Sequence, residues 1–300
     1  ARNAETGNLE PVYVEYAFKP NAKAVRVPCP RFPVGSAKTQ VLEEILIAGL
    51  KSGLFVEVSE STGALRPMLV GKYDADADRA GIPTAIRMCG DFPPLNDQVE
   101  KVCAMAPHIE DEVSKMRGYK YYFSLDASGQ YHSFLLSKRS QEASTIWFPR
   151  AGRQVKAQYT RMTMGAKNSG ATAQTAFNKM FADDLRPEYA NRVANAADDI
   201  CGGADTIDEL LDILEEVFRV LCLHHVQLKP SKLHVGQNFV DFWGKRYSGK
   251  GVSMSPRNIS PALRMRPATN LHELRSLLGY LNQWGAWLGP PVTLSDPTEK

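Results

Sequence analysis

The stretch YYFSLDASGQYHSFLL, residues 121–136, decides the fold class, because it joins two strand-like segments through one short polar interruption. Its first half is aromatic and apolar and ends at Asp126. Downstream, VANAADDICGGAD (residues 193–205) has two flanks that could pair as a hairpin, with Asp198 and Asp199 near its turn. We therefore expect one aspartate at the end of a strand and two more at a hairpin turn.

These three carboxylates suggest a metal site for phosphoryl chemistry. Two hard divalent cations need several oxygen ligands, and carboxylates from separate strand ends can bridge them. Such a pair of ions stabilises both the attacking and the leaving oxygen of an in-line displacement. Asp-Asp pairs are also common in solvated turns and at helix N-termini, so the carboxylates alone leave both interpretations open.

Apolar periodicity places regular elements on both sides of this stretch. Apolar residues recur at helical spacing between Lys38 and Leu50 and, more clearly, from Ile207 to Leu221. Strand composition marks three segments, LFVEVS, LRPMLVGKY and AIRMCG, whereas residues 165–181 favour a helix and residues 74–83 an exposed loop. A capping pair, Asn270 with Glu273, precedes the last helix. Strands and helices do not alternate regularly, which predicts an α+β fold.

Length and composition exclude several classes of protein. The 300 residues can bury the core of two or three subdomains, and the net charge of +3 permits a nucleic-acid partner without requiring one. The five cysteines form no CxxC pair, which indicates reduced thiols in an intracellular protein rather than disulfides or a zinc site. No apolar run is long enough to cross a bilayer, so we expect no membrane partner. The first residue is alanine, which suggests a processed product or a fragment of a polyprotein.

Order and context make the pattern specific, because seven blocks follow one another as in a known family. The chain resembles the polymerase domain of gypsy-type long-terminal-repeat retrotransposon (Metaviridae-like) reverse transcriptases from about residue 28 to residue 288. The blocks are KTQVLEEILIAGLKSGLFVEVSES, IRMCGDFPPLN, YYFSLDASGQYH, YTRMTMGAKNSGATAQ, NAADDICGGADTIDELLDILEEVF, VQLKPSKLHVGQNFVDFWGKRYSGKGVSMSP and ATNLHELRSLLGYLNQW.

The resemblance implies an α+β right-hand polymerase with fingers, a palm and the start of a thumb. The palm would be an antiparallel sheet backed by helices, in a ferredoxin-like arrangement. The implied boundaries are an extended N-terminal arm at 1–36, fingers at 37–100 and 134–165, palm at 101–133 and 166–251, and thumb at 252–300. The chain would then be truncated before the connection and RNase H regions of the family.

The resemblance also implies an activity, which is RNA-directed synthesis of DNA. A primer 3′-hydroxyl would attack the α-phosphorus of a deoxynucleotide at two Mg²⁺ ions held by Asp126, Asp198 and Asp199. The implied nucleotide-binding residues are Lys72, Arg87, Tyr131 as the gate against the ribose 2′-hydroxyl, Gly165 and Lys232. The implied primer and template contacts are Trp243 and Gly244 at the primer end, with Arg275, Gly279 and Gln283 along the thumb helix.

Other interpretations of these residues remain open on the sequence. Tyr131 and Trp243 could be buried aromatics of the sheet, and the basic residues could be solvated surface charges. The expected partners are an RNA or DNA template with its primer, deoxynucleoside triphosphates, and RNase H or integrase neighbours in a polyprotein. A retrotransposon enzyme would be located in the cytoplasm, inside a virus-like particle, or in the nucleus.

Several residues depart from the family pattern close to the expected chemistry. The changes are Ala196 and Ala173 in place of aromatics, Thr163 and Gly170 in place of prolines, Pro93 in place of an arginine, and a serine and glycine shifted one residue forward, which leaves Gln130 before Tyr131. The strand after Asp199 reads CGGA instead of an apolar run, so we expect a loose hairpin. In a working enzyme we expect Phe177, Met164 and Met180 to fill the space that the missing aromatics leave.

These departures keep two other functions open. One is a catalytically inactive, domesticated domain that serves as a structural subunit of a larger assembly, in which case an organelle is a possible location. The other is a nucleic-acid-binding module that retains the cleft without the catalytic rate. A carboxylate cluster without metal ions is electrostatically unfavourable, so the presence of all three aspartates favours metal binding.

Overall fold

The computed structural model of the chain describes residues 13–61, 63–72, 85–102, 109–256, 258–259 and 266–282. These residues fall into two units, 1–253 and 254–300, which are described separately. The described helices are α1 (Ala37–Lys51), α2 (Pro93–Asn96), α3 (Ile109–Ser114), α4 (Lys138–Ala143), α5 (Ser169–Asp184), α6 (Ile207–Leu223) and α7 (Leu271–Asn282).

The strands belong to several small sheets, which is consistent with the expected α+β class. In chain order they are β1 (Tyr13–Val14), β2 (Phe55–Val58), β3 (Pro67–Lys72), β4 (Ala85–Gly90), β5 (Tyr121–Asp126), β6 (Leu135–Leu136), β7 (Thr145–Arg150), β8 (Arg153–Tyr159), β9 (Val193–Ala196), β10 (Asp199–Ala204), β11 (His234–Gln237), β12 (Phe239–Phe242), β13 (Lys245–Ser248) and β14 (Gly251–Met254). The predicted strands at LFVEVS, LRPMLVGKY and AIRMCG are confirmed as β2, β3 and β4, whereas the loop predicted at 74–83 lies outside the described residues.

The central sheet consists of four antiparallel strands in the order β11-β5-β10-β9. The helices α5 and α6 contact its strands, so one face of the sheet is covered by helices. Their apolar side chains form a continuous core with the strands, built around Phe123, Leu125, Phe177, Ile200, Leu210, Ile213, Val217 and Val220. This sheet positions the acidic residues, because both the strand that ends at Asp126 and the strand that starts at Asp199 belong to it.

A second core lies beneath a separate three-stranded sheet, β2-β8-β7, and the helix α1. The helix begins at Ser36, whose side chain accepts a hydrogen bond from the Thr39 amide, and it buries Leu42 and Leu46. In the antiparallel pair β3-β4, Val70 is opposite Arg87. Arg87 also lines the cavity that is described with the candidate active site. The helix predicted between Lys38 and Leu50 is therefore confirmed.

The helix α6 follows from its strong apolar periodicity and a capped N-terminus. The Thr206 side chain accepts a hydrogen bond from the Glu209 amide, and acidic residues occupy the first turn. The buried face comprises Leu210, Ile213, Leu214, Val217, Val220 and Leu221. Two residues that the sequence pattern placed on this face are exposed instead, Ile207 and Leu211. Ile207 is the first helical residue, at the end of the apolar stripe.

The hairpin β9-β10 is confirmed, but the expectation that it would be loose is wrong. β10 pairs with β9 on one side and with β5 on the other, and five of its six residues are buried. A Cβ atom at Gly202 would overlap the ring of Phe123, and one at Gly203 would overlap the ring of Tyr119. Aromatic rings from a neighbouring strand and loop therefore occupy the volume that apolar side chains of β10 would otherwise fill.

The residues proposed to compensate for Ala173 and Ala196 were also wrong. Met164 is 48% exposed and so fills no core space. Phe177 and Met180 belong to the core of the central sheet, whereas Ala173 and Ala196 are buried in two other clusters. Ala196 instead packs in a cluster with large side chains from several elements, Met116, Tyr122, Val240, Phe242 and Tyr247. The space is thus occupied by side chains that are distant in sequence.

The second unit contains the helix α7, whose start was predicted from its capping pair. Asn270 Oδ1 accepts a hydrogen bond from the Glu273 amide at 2.9 Å, and Glu273 accepts one from the Thr269 amide at 2.8 Å. This reciprocal arrangement satisfies helix-start donors that would otherwise lack partners. Within the described part of the chain, no helix has the length and apolarity needed to span a membrane.

Candidate active site

Asp126 and Asp199 are brought together by the register of the central sheet. Asp126 is the last residue of β5, Asp199 is the first residue of β10, and the two are directly opposed partners in the antiparallel pair. Opposed residues of an antiparallel pair project to the same face with Cβ atoms about 4.5–5.5 Å apart. The two carboxylates therefore share one end and one face of the sheet.

Asp198 lies in the two-residue connection between β9 and β10, next to the strand end that carries Asp126. Its carbonyl oxygen accepts a hydrogen bond from the Ala127 amide at 2.7 Å, which ties the two acidic segments together. The other residue of the connection, Ala197, has a φ of 52°. A left-handed conformation costs a residue with a Cβ atom about 1–2 kcal/mol. Contacts from the surrounding structure must therefore hold this turn in its strained conformation.

Asp126 is engaged by two lysines. Only 5% of its side chain is exposed, and its two oxygens accept hydrogen bonds from the ammonium groups of Lys229 and Lys232. Burial alone would raise the pKa of Asp126, but the hydrogen bonds and charges of both lysines outweigh burial and lower that pKa. The Lys229 amide also donates to the Asp126 carbonyl at 3.0 Å, so backbone and side chain both hold this segment against β5.

Asp199 has the opposite electrostatic environment. Its side chain is exposed at the end of the sheet, yet the surrounding protein still excludes enough water to raise the pKa of Asp199. The negative charges of Asp198 and Asp126 raise that pKa further, while the two lysines partly offset them. Asp199 is therefore close enough to Asp198 and Asp126 for their charges to disfavour its ionised form.

Carboxylate oxygens are the donors that a hard divalent cation such as Mg²⁺ prefers, so the residues present fit this ion chemically. A cation bound among them would relieve the repulsion that raises the Asp199 pKa. Across the residues that the structure describes, no three acidic, histidine or cysteine side chains form a ready-made cluster around one point. The pairing of Asp126 with two ammonium groups is the arrangement found instead.

A cavity of about 460 Å³ opens beside the acidic residues. Two of the predicted nucleotide-binding residues, Arg87 from β4 and Tyr131, line it together with the predicted metal ligand Asp198. The remaining lining residues are Met88, Cys89, Ala127, Gly129, Gln130, His132, Tyr159, Thr163, Met164 and Lys229. His132 Nδ1 donates a hydrogen bond to the Met162 carbonyl at 3.1 Å, and burial lowers the pKa of the imidazole. The cavity therefore combines a guanidinium, an ammonium, aromatic rings and a carboxylate.

The other predicted nucleotide-binding residues are not among the described residues that line this cavity. Lys232 reaches Asp126, as described above. Gly165 has a φ of 93°, and its carbonyl accepts a hydrogen bond from the Asn96 side chain at 2.9 Å. Lys72 is the last residue of β3 and pairs with Ala85, but its side chain lies outside the described part of the structure.

The predicted primer and template residues are found in both units. Trp243 and Gly244 form the two-residue turn between β12 and β13, with φ of 50° and 74°, and Trp243 is half exposed. Positive φ at both positions is what a tight hairpin turn of the I′ type needs. Arg275 and Gly279 lie four residues apart, and thus on one face, in exposed positions of α7. Gln283 lies outside the described residues.

Three residues of the site were not assigned a role by sequence reasoning. Lys229 contacts Asp126, and Gln130 and Gln174 donate to or accept from the backbone of Ala197. The LKPSK sequence around Lys229 offered a signal, because Lys229 and Lys232 are three residues apart, at the start and the end of a short 3-10 turn. Gln130 and Gln174 offered none beyond their proximity to the motifs.

Comparison with known proteins assigns the sequence to a described family. The profile described as "Reverse transcriptase (RNA-dependent DNA polymerase)" matches residues 78–247. The Tf2-3 and Tf2-7 transposon polyproteins of Schizosaccharomyces pombe are each 24% identical to the chain over 284 residues, which is 95% of its length. The chain spans 20% of the length of these polyproteins. These matches confirm the recognition drawn from the seven motifs.

Solved structures show the same fold. A foamy viral protease-reverse transcriptase in complex with double-stranded DNA matches 92% of the chain and 44% of its own chain, with a TM-score of 0.74 and 20% identity. The foamy viral enzyme in complex with an RNA/DNA hybrid matches 90% of the chain and 34% of its own, with a TM-score of 0.68 and 21% identity. The right-hand polymerase fold expected from the sequence is therefore confirmed.

Proposed function

The chain belongs to the reverse transcriptase (RNA-dependent DNA polymerase) family, whose profile covers more than half of it, and we propose that it synthesises DNA on an RNA template. One observation carries the proposal: Asp126 and Asp199 are register partners at one sheet end, with Asp198 in the adjoining turn. A structural role does not require three carboxylates on two opposed strand ends and the adjoining turn, whereas nucleotidyl transfer needs such a set of oxygen donors.

Asp126, Asp198 and Asp199 would hold two Mg²⁺ ions. When bound, the ions would stabilise the negative charge on the attacking primer oxygen and on the leaving pyrophosphate. The protein's own contribution is to fix the carboxylates, through the strand register and through the hydrogen bond between Ala127 and Asp198. Positioning of this kind before the reaction avoids the cost of reorganising charges during it.

The cavity beside the carboxylates would receive the deoxynucleoside triphosphate. Arg87 is exposed at its edge, and a guanidinium binds phosphate oxygens through paired hydrogen bonds. Tyr131 lies opposite the first turn of α5, since its hydroxyl would be 3.8 Å from a Cβ atom at Gly170. The ring would thereby restrict the space beside the sugar, which supports a role in excluding ribonucleotides. Lys232 would act near the phosphates, and Lys72 and Gly165 stay predicted members of the site.

The proposal includes a primer and a template as the macromolecular partners. The foamy viral enzymes with the same fold are described in complex with double-stranded DNA and with an RNA/DNA hybrid, and this supports a nucleic-acid duplex as ligand. The exposed Trp243 and Gly244 turn, together with Arg275, Gly279 and Gln283, remain the proposed contacts. The similarity to transposon polyproteins supports neighbouring domains, and RNase H or integrase stay the neighbours that we propose.

A primer-extension assay tests this function. The purified chain is given a labelled DNA primer annealed to an RNA template, all four deoxynucleotides and Mg²⁺. We expect template-directed extension, and we expect it to fall more than about a thousandfold in Asp198→Asn, because removing a member of a catalytic set has effects of about this size.

The matched control for this experiment is Asp212→Asn, which removes an exposed carboxylate from α6 on the same chain. It should extend primers at the wild-type rate. A wild-type chain that binds primer–template yet adds no nucleotide under these conditions would overturn the proposal. Equal activity of Asp198→Asn and wild type would do the same, because the activity would then come from elsewhere.

A second candidate function is a catalytically inactive, domesticated domain that serves as a structural subunit. The observation that favours it is the engagement of Asp126 by Lys229 and Lys232, which neutralises the carboxylate without a metal ion. For this candidate we expect the Asp126→Asn variant to lose stability and no extension to be measurable in the wild type. The primer-extension assay therefore separates the two functions.

A further inference from the structure

Ala197, the residue before the acidic pair, is held on both of its backbone polar groups by glutamine side chains. Its amide donates to Oε1 of Gln174 at 2.7 Å, and its carbonyl accepts from Nε2 of Gln130 at 2.7 Å. Because Ala197 has a φ of 52°, the turn has a conformation that an alanine does not favour by itself. Such a conformation persists only when surrounding contacts impose it, and the two glutamines supply such contacts.

Gln130 links the turn to the segment that follows Asp126. It stands four residues after Asp126, at the start of a short 3-10 helix, and only 5% of it is exposed. In this buried position water cannot easily replace the hydrogen bond if the donor is removed. A second link runs in parallel, because the Ala127 amide donates to the Asp198 carbonyl at 2.7 Å.

Gln174 is itself fixed in the orientation that the turn requires. Its Nε2 donates to Oδ1 of Asn178 at 2.7 Å and to Oδ1 of Asn195 at 2.8 Å. With both amide hydrogens engaged, Oε1 is directed towards the Ala197 amide. Asn195 lies on β9 and Asn178 on α5, so Gln174 attaches the turn to the sheet and to the helix. Gln130 attaches it to the segment that follows Asp126.

We propose that Gln130 is a positioning residue for the catalytic turn: with Gln174 it fixes the Ala197 peptide groups and so sets Asp198 relative to Asp126. This inference rests on the proposed function, since it concerns the same acidic site. Gln130 is among the residues that line the cavity beside the acidic residues, but its amide nitrogen is engaged by the Ala197 carbonyl. Its side chain acts on the backbone that carries the metal-binding carboxylate.

The test compares Gln130→Met with a matched control, Gln141→Met. Methionine keeps the length of the side chain but cannot donate a hydrogen bond. Gln141 lies on α4 and also donates from Nε2 to a backbone carbonyl, that of Leu136, at the same distance of 2.7 Å. Both variants thus remove one glutamine-to-carbonyl hydrogen bond, but only one of them acts on the turn.

For Gln130→Met we expect the rate constant of single-nucleotide addition to fall about tenfold to a hundredfold, because small displacements of reacting groups have effects of this size. The KM for deoxynucleotide should change less than about threefold, because the base, sugar and phosphate contacts remain. Mn²⁺ affinity without substrates should fall, and hydrogen exchange at the Ala197 and Asp198 amides should accelerate. Gln141→Met should show none of these changes, even at an equal loss of melting temperature.

If Gln130→Met does not fold, Gln130→Asn replaces it, because the shorter amide stays polar but cannot span the same distance. Wild-type kinetics, Mn²⁺ affinity and amide exchange in a folded Gln130 variant would overturn the inference. A wild-type chain without polymerase activity would overturn the proposed function separately. In that case the positioning role of Gln130 is tested by hydrogen exchange alone. Faster exchange of the turn amides in the Gln130 variant supports that role, and unchanged exchange contradicts it.

Discussion

Asp126 and Asp199 face each other as register partners across the two central strands of the four-stranded sheet. This pairing fixes the geometry of the site, because a slip of one residue would move one of the two carboxylates to the opposite face. The environments of the two groups differ sharply. Lys229 and Lys232 lower the pKa of Asp126 against the effect of burial, whereas burial and the neighbouring acids raise the pKa of Asp199.

The first prediction concerns competition between Lys229 and a metal ion for Asp126. The two cannot occupy the same carboxylate oxygen, and a fixed positive charge a few ångströms from a cation opposes its binding by about 1–4 kcal/mol. We expect Lys229→Met to bind Mn²⁺ about tenfold more tightly in the absence of substrates, which corresponds to about 1.4 kcal/mol. Electron paramagnetic resonance of free Mn²⁺ measures this affinity.

The control for this prediction is Lys179→Met, which removes an exposed lysine from α5 and should leave Mn²⁺ affinity unchanged. Equal Mn²⁺ affinity of Lys229→Met and wild type would show that Lys229 does not compete with the metal ion for Asp126. Weaker Mn²⁺ binding by Lys229→Met would show that Lys229 favours metal binding instead of opposing it.

The second prediction follows from the raised pKa of Asp199. A carboxyl group with a raised pKa in the folded state favours protonation on folding, so stability falls as pH rises from the ordinary value of 3.8 through the folded pKa. Above that window the charge destabilises the metal-free fold. We therefore expect Asp199→Asn to melt higher than wild type at pH 7 in EDTA, by about 2–4 °C for each kcal/mol of relieved repulsion.

The advantage of Asp199→Asn should disappear as pH falls below the ordinary carboxyl pKa, where both proteins carry a neutral group. Saturating Mg²⁺ should raise the melting temperature of wild type more than that of the variant. An Asp199→Asn protein that melts below wild type at pH 7 in EDTA would contradict the repulsion among the three acids.

The third prediction concerns Tyr131 as the sugar gate. Its ring lines the cavity beside Asp198, so removing the ring should open space for a ribose 2′-hydroxyl. We expect Tyr131→Val to raise the incorporation of ribonucleotide relative to deoxynucleotide by about tenfold to 200-fold, the range that one steric contact can discriminate. The exposed Tyr13 provides the control Tyr13→Val. Unchanged sugar discrimination in an active Tyr131→Val enzyme would remove this role.

The fourth prediction tests how closely β10 packs. Because a Cβ atom at Gly202 would overlap the Phe123 ring, Gly202→Ala should cost about 1–3 kcal/mol of unfolding free energy. Gly170→Ala is the matched control in α5, where the nearest atom to an added Cβ is the Tyr131 hydroxyl at 3.8 Å. It should be neutral or stabilising by about 0.5–1 kcal/mol, as for glycine replaced by alanine inside a helix. Urea unfolding of both variants gives the comparison, and a neutral Gly202→Ala would contradict the overlap.

Local patterns were sufficient to predict much of the fold. The apolar period of α6 and the capping pair of α7 are signals carried by neighbouring residues, and both elements form where the pattern placed them. The order of the motifs identified the strands that carry Asp126 and Asp199. The two helices were predictable because the apolar period and the capping pair each depend on residues within a few positions of one another.

The errors have a common cause, which is contact between residues distant in sequence. The pair Gly202 and Gly203 suggested a weak strand, because nothing local indicates that the Phe123 and Tyr119 rings occupy their space. Lys229 is separated from Asp126 by 103 residues, so no local pattern pairs them. Gln130 is visible in the sequence only as a shift in a motif, and its role depends on the distant Ala197 carbonyl.

We infer that Asp126, at the end of β5, and Asp198, in the turn between β9 and β10, hold metal ions jointly. Mn²⁺ binding to wild type, Asp126→Asn, Asp198→Asn and the double variant tests it directly, with a chain-terminated primer, template and deoxynucleotide present. We expect wild type to bind two ions, each single variant to lose more than about tenfold in affinity, and the double variant to lose less than the product of the two. Wild-type affinity in Asp126→Asn, or losses that multiply independently, would contradict a shared site.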